Sequence, residues 1–314
     1  MVPTSRNLFS PSETLCAMAG LSILIPVFNR EVSVLVHSLL AQLLAWPGPA
    51  EINLLDDGSA DEFKAQNRVL ATLPGVAYRE LPANVGRAAV RNQLAISAKY
   101  EWLLLLDNDS SLPDQQFIVR YVQAQAAGSA ALFIGGTTYE ATPPADPALR
   151  LRWLYGRARE MRPAAERQRD ASGQLSINNA LISSRLLKDF PLDERLSGYG
   201  HEDTKLGLEL SRAGVVVRHI DNPVLHDGLE PAAVFLAKSQ QAVHNLAQVL
   251  HTDGLGAATR LVQTAERLRR VRLAGPAQAT LGKLEPLLRR NLLSASPSLQ
   301  ALDALKLLWL LREQ

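Results

Sequence analysis

The chain has 314 residues, 47% of them hydrophobic and 20% charged, with a formal net charge of +2. This composition supports one large α/β domain, alone or with a helical appendage, and near-neutrality gives no reason to expect a sequence-independent grip on nucleic acid. The single cysteine, Cys16, excludes an internal disulfide and any multi-cysteine zinc site.

Residues 1–20 lack the continuous apolar core of a secretory leader and are expected to form a flexible N-terminal extension. No later run reaches the roughly 18 apolar residues of a membrane span, so a cytoplasmic protein is expected. From Leu21 onward, strand-like runs alternate with helical periodicity, the signature of an α/β layer structure. Strands are predicted at Leu21–Pro26, Glu51–Leu55, Val76–Glu80, Trp102–Leu106 and Ala130–Ile134, with helices at Glu31–Leu44, Asp61–Leu73, Arg87–Lys99 and Pro113–Ala127. The arginine-rich stretch within Pro143–Arg169 suggests a helix with one basic face. Strands are predicted again at Gln174–Ile182 and Val215–Ile220, on either side of a helix at Gly200–Ala213. From Pro231 the pattern is helical throughout.

Polar clusters follow the ends of the early strands: Asn29, then Asp56-Asp57-Gly58-Ser59, then Asp107-Asn108-Asp109. In open α/β sheets ligands bind outside the carboxyl ends of the strands, so parallel strands would bring these clusters to one edge. Two carboxylates as close as Asp107 and Asp109 repel unless a cation lies between them; a solvated turn or helix cap is the structural alternative. The stretch Asp56–Ser59 could be only a strand-to-helix turn, with Ser59 or Asp61 capping the next helix, or one of its carboxylates could accept a hydrogen bond from the imide N–H of uracil. Glu202 and Asp203 suit the positive end of a helix dipole, and either could serve as a general base. His226 gains a chemical role only if the fold carries it to Asp109. Arg87 and Arg91, near a helix start, could face a phosphate-bearing ligand or simply be solvated.

Taken in order, LSILIPVFNR (Leu21–Arg30), LLDDGSAD (Leu54–Asp61), NVGRAAVRN (Asn84–Asn92), LLLLDNDS (Leu103–Ser110) and LSGYGHEDTKLGLEL (Leu196–Leu210) resemble the family 2 glycosyltransferases of the GT-A fold. The resemblance covers about residues 21–228 and implies a mixed central sheet flanked by helices, with a C-terminal helical extension. It divides the chain into the extension 1–20, a catalytic domain 21–230 and a helical region 231–314. Asp57 would recognise the nucleobase, with Pro26, Val27 and Asn29 lining its pocket and Arg87 and Arg91 on the donor side. Asp107 would lie near the ribose and, with Asp109 and His226, would hold Mn2+ or Mg2+. Asp203 would be the catalytic base. Glu202, Asn179, Tyr199 and His201 would shape the acceptor side.

The resemblance implies a single in-line displacement with inversion, from a UDP-sugar by preference, onto a hydroxyl of a glycan or lipid-linked acceptor. Processive synthesis is not expected, because Arg152-Trp153 precedes Asp203 and has Leu149 where a Gln-x-x-Arg-Trp motif needs glutamine. Two alternatives stand beside this reading. A sugar nucleotidyltransferase would share the architecture, although Pro26–Arg30 lacks the glycine-rich loop such enzymes carry; a catalytically inactive module would bind nucleotide-sugar only. In the tail, the apolar stripe Leu302, Leu305, Leu308 and Trp309 could pack on the protein itself. Alternatively, the stripe and Arg267, Arg269, Arg270, Arg272, Arg289 and Arg290 could mediate peripheral contact with the inner face of a membrane, or a homodimer.

Overall fold

Leu21–Val27 (β1) is buried at every position but Pro26, as expected of a central strand whose two faces are both covered by helices. A computed structural model describes the chain at residues 19–128, 130–196, 200–254, 256–257 and 259–313. The expected flexible extension therefore lies outside the described residues, save 19 and 20, and so does Tyr199. After β1 come α1 (Ser33–Leu40), β2 (Ala50–Asp56), α2 (Asp61–Arg68), β3 (Val76–Glu80), α3 (Arg87–Ser97) and β4 (Trp102–Leu106). Then follow β5 (Ser110–Ser111), α4 (Phe117–Ala126), β6 (Leu132–Ile134), β7 (Thr137–Thr138), α5 (Arg150–Tyr155) and α6 (Ala164–Arg167). The rest is β8 (Asn179–Ser183), α7 (Ser184–Asp189), α8 (Glu202–Arg212), β9 (Val217–His219), β10 (Val224–His226) and the helices α9 (Ala232–Asp253), α10 (Arg260–Arg270), α11 (Ala274–Leu292) and α12 (Leu299–Glu313).

Seven strands form one mixed sheet in the order β3-β2-β1-β4-β8-β6-β9, in which β8 alone runs antiparallel to its neighbours. The register pairs Val27 with Asp56 and Leu106 with Asn179, so the loops after β1, β2 and β4 and the chain entering β8 meet at one edge. Period-two alternation sends Ile23 and Ile25 into a core with α1 and α4, where Leu39, Phe117 and Tyr121 are buried. Leu24 goes to the opposite core, with Val90 and Leu94 of α3 and Leu206 and Leu210 of α8.

A third core joins α9, α10 and α12 to Leu151 of α5. Leu302, Leu305 and Leu308 are fully buried in it and Trp309 nearly so, so the expected apolar stripe packs on the protein itself and is no membrane face. The predicted basic-faced helix is instead α5, a π-turn at Gly156–Glu160 and the short α6, interrupted before Pro163. Two of its arginines, Arg152 and Arg167, are buried. The predicted strand Gln174–Ile182 starts only at Asn179, because the Ile177 N–H is directed to the Asp203 carboxylate at 3.3 Å and not to a ladder partner. Periodicity gave no sign of a second, three-stranded sheet, β5-β10-β7, whose strands are two or three residues long.

Candidate active site

Three strand-end loops are laced together where a nucleotide base would be expected. Asn29 adopts a left-handed backbone, φ 46°, which Asn tolerates better than most residues. Its N–H donates to Ser59 Oγ at 2.8 Å and its Oδ1 accepts from the Ala60 N–H at 2.8 Å. Asp56 is wholly buried and structural: it accepts from the Ser59 N–H and the Tyr78 hydroxyl. Asp57 accepts from the Val85 N–H at 2.7 Å and the Gly86 N–H at 3.2 Å, and burial pushes its carboxyl above the usual carboxylate range. Each oxygen keeps a further lone pair for a ligand donor. A Cβ on Gly58 would lie 2.6 Å from the Ala83 and Asn84 backbone, so only glycine allows these loops to close. Pro26 is half-buried at this edge. The Val27 side chain, by contrast, belongs to the core, and its carbonyl receives the Asp57 N–H at 2.8 Å.

Beside these loops lies a lattice of two arginines and two acids. Arg87 and Arg91, one turn apart on α3, face the same way. Arg87 reaches Asp107 Oδ2 at 3.1 Å and Glu202 Oε1 at 3.0 Å. Arg91, only 2% exposed, pairs with Asp107 Oδ1 and stands 3.8 Å from Glu202. Burial works against ionisation of Asp107, but the charges of Arg91 and Arg87 outweigh it and hold the carboxyl down at about 2. The two arginines therefore brace acids that come from β4 and α8.

Asp203 stands outside that lattice. Its Oδ2 accepts from the Ile177 N–H, and its Oδ1 is buried without a hydrogen-bond partner. Burial, then the neighbouring Glu202 charge, push its carboxyl up to about 7 against the pull of Arg91 and Arg87. A base tuned close to neutrality has the strength proton abstraction calls for. His201 precedes the pair in a left-handed conformation, φ 73°, and burial lowers it to about 4, so it is neutral at pH 7.

The small sheet pairs His226 with Ser110 and so brings His226 to Asp109. The two side chains approach to 3.5 Å between Nδ1 and Oδ2, and the Asp227 N–H donates to the Asp109 carbonyl at 2.8 Å. A separation of 3.5 Å is long for a hydrogen bond but fits two ligands of one cation with bonds near 2.1 Å. His226 Nε2 is also buried without a partner. Among the described residues no three acids or histidines form a metal-holding group; the Asp107 carboxylate is paired with Arg87 and Arg91. Asp109 and His226 thus fit a divalent cation as a pair of ligands.

A cavity of ≈ 900 Å³ opens beside the lattice, with Arg87, Asp107, Asn178, His201, Glu202 and Asp203 on one wall. The other wall comes from the helical region and α5, including Tyr155, Phe235, Leu246, Arg260 and Lys306; no motif had marked these residues. Asp57, Asp109 and His226 do not line it. Asn179 does not face it either: it is fully buried, donating to the Gly136 and Asn222 carbonyls and accepting from the Tyr121 hydroxyl at 2.6 Å. Of the two neighbours it is Asn178, one residue before the expected Asn179, that lines the cavity.

The family model for Glycosyl transferase family 2 matches residues 22–186. The chain belongs to this family. The matched stretch holds Asp57, Arg87, Arg91, Asp107 and Asp109, while Glu202, Asp203 and His226 follow it. This family 2 glycosyltransferase is 33% identical over 93 residues to a dodecaprenyl-phosphate galacturonate synthase of Rhizobium johnstonii, a match covering 28% of each protein. Its fold is similar to that of a mannosyltransferase from Pyrobaculum calidifontis in complex with GDP-Man and Mn2+, with TM-score 0.55, 16% identity, and 91% and 78% of the two chains covered. It is also similar to the glucosyl-3-phosphoglycerate synthase of Mycobacterium tuberculosis in complex with Mn2+, UDP-glucose and phosphoglyceric acid, with TM-score 0.52, 16% identity, and 81% and 87% covered. At such identities the two structures bear on the fold alone. Among the described residues no helix is long and apolar enough to cross a membrane.

Proposed function

We propose that this glycosyltransferase moves a sugar from a nucleoside diphosphate, UDP by preference, onto an acceptor hydroxyl by single displacement with inversion. The observation that carries this reading is Asp203: a buried carboxylate with one unpartnered oxygen, raised to about 7, in the same cavity as Asp107. Asp203 takes the acceptor proton while Arg87 and Arg91 keep Asp107 ionised beside it. The acceptor oxygen then attacks the anomeric carbon and the carbon–oxygen bond to the diphosphate breaks, leaving the electron pair on the nucleoside diphosphate. A divalent cation, Mn2+ or Mg2+, held by Asp109 and His226 would neutralise the charge that gathers on this leaving group. The donor reading is supported by Asp57, whose carboxylate suits the imide N–H of uracil, and by the nucleotide-sugars and Mn2+ named for the two solved structures above.

The lipid-phosphate relative makes a lipid-linked acceptor a candidate beside a glycan. Peripheral membrane contact has support in exposed Val271, Leu273, Leu284 and Leu287 near exposed Arg267, Arg270 and Arg272. The test is Asp203→Asn: donor binding stays near normal and turnover falls by about 10²–10⁴. Undiminished turnover disqualifies Asp203 as the base.

A further inference from the structure

On the glycosyltransferase reading of Asp203, we infer that the acceptor carries a phosphate group, and that Lys306 of α12 and Arg260 of α10 hold it on the wall that the C-terminal helices give to the catalytic cavity. Six basic side chains line this cavity: Arg87, Arg152, Arg159, Arg167, Arg260 and Lys306. Four of them have work to do within the protein. Arg87 serves Asp107 and Glu202, Arg152 pairs with Glu160 at 3.1 Å, and Arg159 pairs with Asp303 at 2.7 Å. Arg167 donates to the carbonyls of Ile134, Arg162, Gly135 and Ile220.

Among the described residues, Arg260 and Lys306 have no carboxylate partner. Lys306 Nζ instead rests over the Tyr155 ring, 4.6 Å from its centroid. Lys306 is half-buried on an aromatic face and Arg260, which is exposed, lines the same cavity; neither charge is met by a carboxylate among the described residues, so both are available to an anionic ligand. Two monovalent cations match a phosphate monoester, which is close to a dianion at neutral pH because its second pKa is about 6. Arginine also offers it a planar fork of donors.

The subsite lies near the chemistry. The Lys306 charge is felt at His201, where it adds to the lowering by burial, and His201 is followed directly by Glu202 and Asp203. A phosphate anchored at Lys306 and Arg260 is thus a handle by which the acceptor presents a separate hydroxyl to Asp203. The same wall carries Phe235, Val243, Leu246, Leu261 and Leu307. Apolar atoms beside the phosphate would favour a lipid phosphate that also carries a free hydroxyl, and a soluble phosphorylated acceptor would leave them unused.

The test uses full-length protein saturated with UDP and Mn2+, titrated calorimetrically with inorganic phosphate, hexyl phosphate and, as a neutral control, hexanol. Wild type is expected to bind hexyl phosphate saturably, and Lys306→Gln and Arg260→Gln each to weaken that binding at least about tenfold, as loss of a charge-assisted contact requires. Lys306→Arg restores binding to within about threefold, since the positive charge is kept. Tighter binding of hexyl phosphate than of phosphate indicates a lipid source; equal binding indicates a soluble ester. The subsite is overturned if wild type binds neither phosphate probe, or if the glutamine variants, folded by circular dichroism, bind as wild type does. UDP binding is read separately in the same protein: its presence with no phosphate binding removes the subsite alone, and its absence counts against the donor reading.

Discussion

Asp203→Asn should make the protein more stable as well as less active, and more so as pH rises. Folding raises the Asp203 carboxyl from 3.8 to about 7, chiefly through burial. For an acid whose folded value is raised, stability is fully present below 3.8 and is lost as pH climbs from there to about 7, because over that range the unfolded carboxyl ionises freely in water while the buried native one must keep its proton. At about 1.36 kcal/mol per pH unit, the separation between 3.8 and about 7 corresponds to a destabilisation on the order of 4 kcal/mol in alkaline solution. Asparagine keeps an oxygen for the Ile177 N–H and puts a neutral amide where the unpartnered carboxylate oxygen was. The assay is thermal denaturation of both proteins from pH 5 to pH 8.5. The asparagine variant should melt higher, with a Tm advantage that widens through pH 7 and levels off above about pH 8. Parallel Tm curves across the range, or an advantage that shrinks with pH, would refute the claim that Asp203 is buried and strained by ionisation.

Arg91→Met removes a buried cation from between Asp107 and Glu202 and should cost about 3–5 kcal/mol in urea denaturation, as breaking a buried pair does; a loss below about 1 kcal/mol would show that Arg87 alone balances both acids. Asp109→Asn and His226→Ala should each raise the Mn2+ concentration needed for half-maximal nucleotide-sugar hydrolysis by about tenfold or more, whereas an unchanged metal titration would remove the pair from the cation site. Asn179→Ala should destabilise the fold by about 1–3 kcal/mol, leaving buried carbonyls without donors, while Asn178→Ala should act mainly on acceptor KM. Acceptor KM rising with Asn179→Ala and not with Asn178→Ala would restore the original assignment.

Much of the catalytic edge was legible because strands buried on both faces read as unbroken apolar runs. Leu21–Val27 and Trp102–Leu106 stand out in this way, and once they lie parallel, Asn29, Asp57 and Asp107 must converge. The small sheet was not legible, since strands such as Ser110–Ser111 are too short to show a period, yet it alone carries His226 to Asp109. Asn178 and Asn179 were separable only by register. Adjacent residues entering a strand point to opposite faces, and which of the two met the Tyr121 hydroxyl depended on how β8 aligned with β4.

Arg91 was assigned to the donor side as an arginine near a helix start, and nothing local in the sequence marks it as a 2% exposed brace between acids 95 residues apart in the chain. The apolar spacing of the final helix announced a packing face, but the partner was invisible. That partner includes α5, which lies between strands of the main sheet in the chain, and this docking is what puts Lys306 and Arg260 on the cavity wall.

The pH profile of kcat/KM for transfer, compared between wild type and Asp203→Asn, tests most directly whether this buried acid is the base. Wild type should show an ascending limb with an apparent pKa near 7, the value burial and Glu202 impose, and the residual rate of the variant should lack it. The same limb in both proteins would assign the proton transfer to another group.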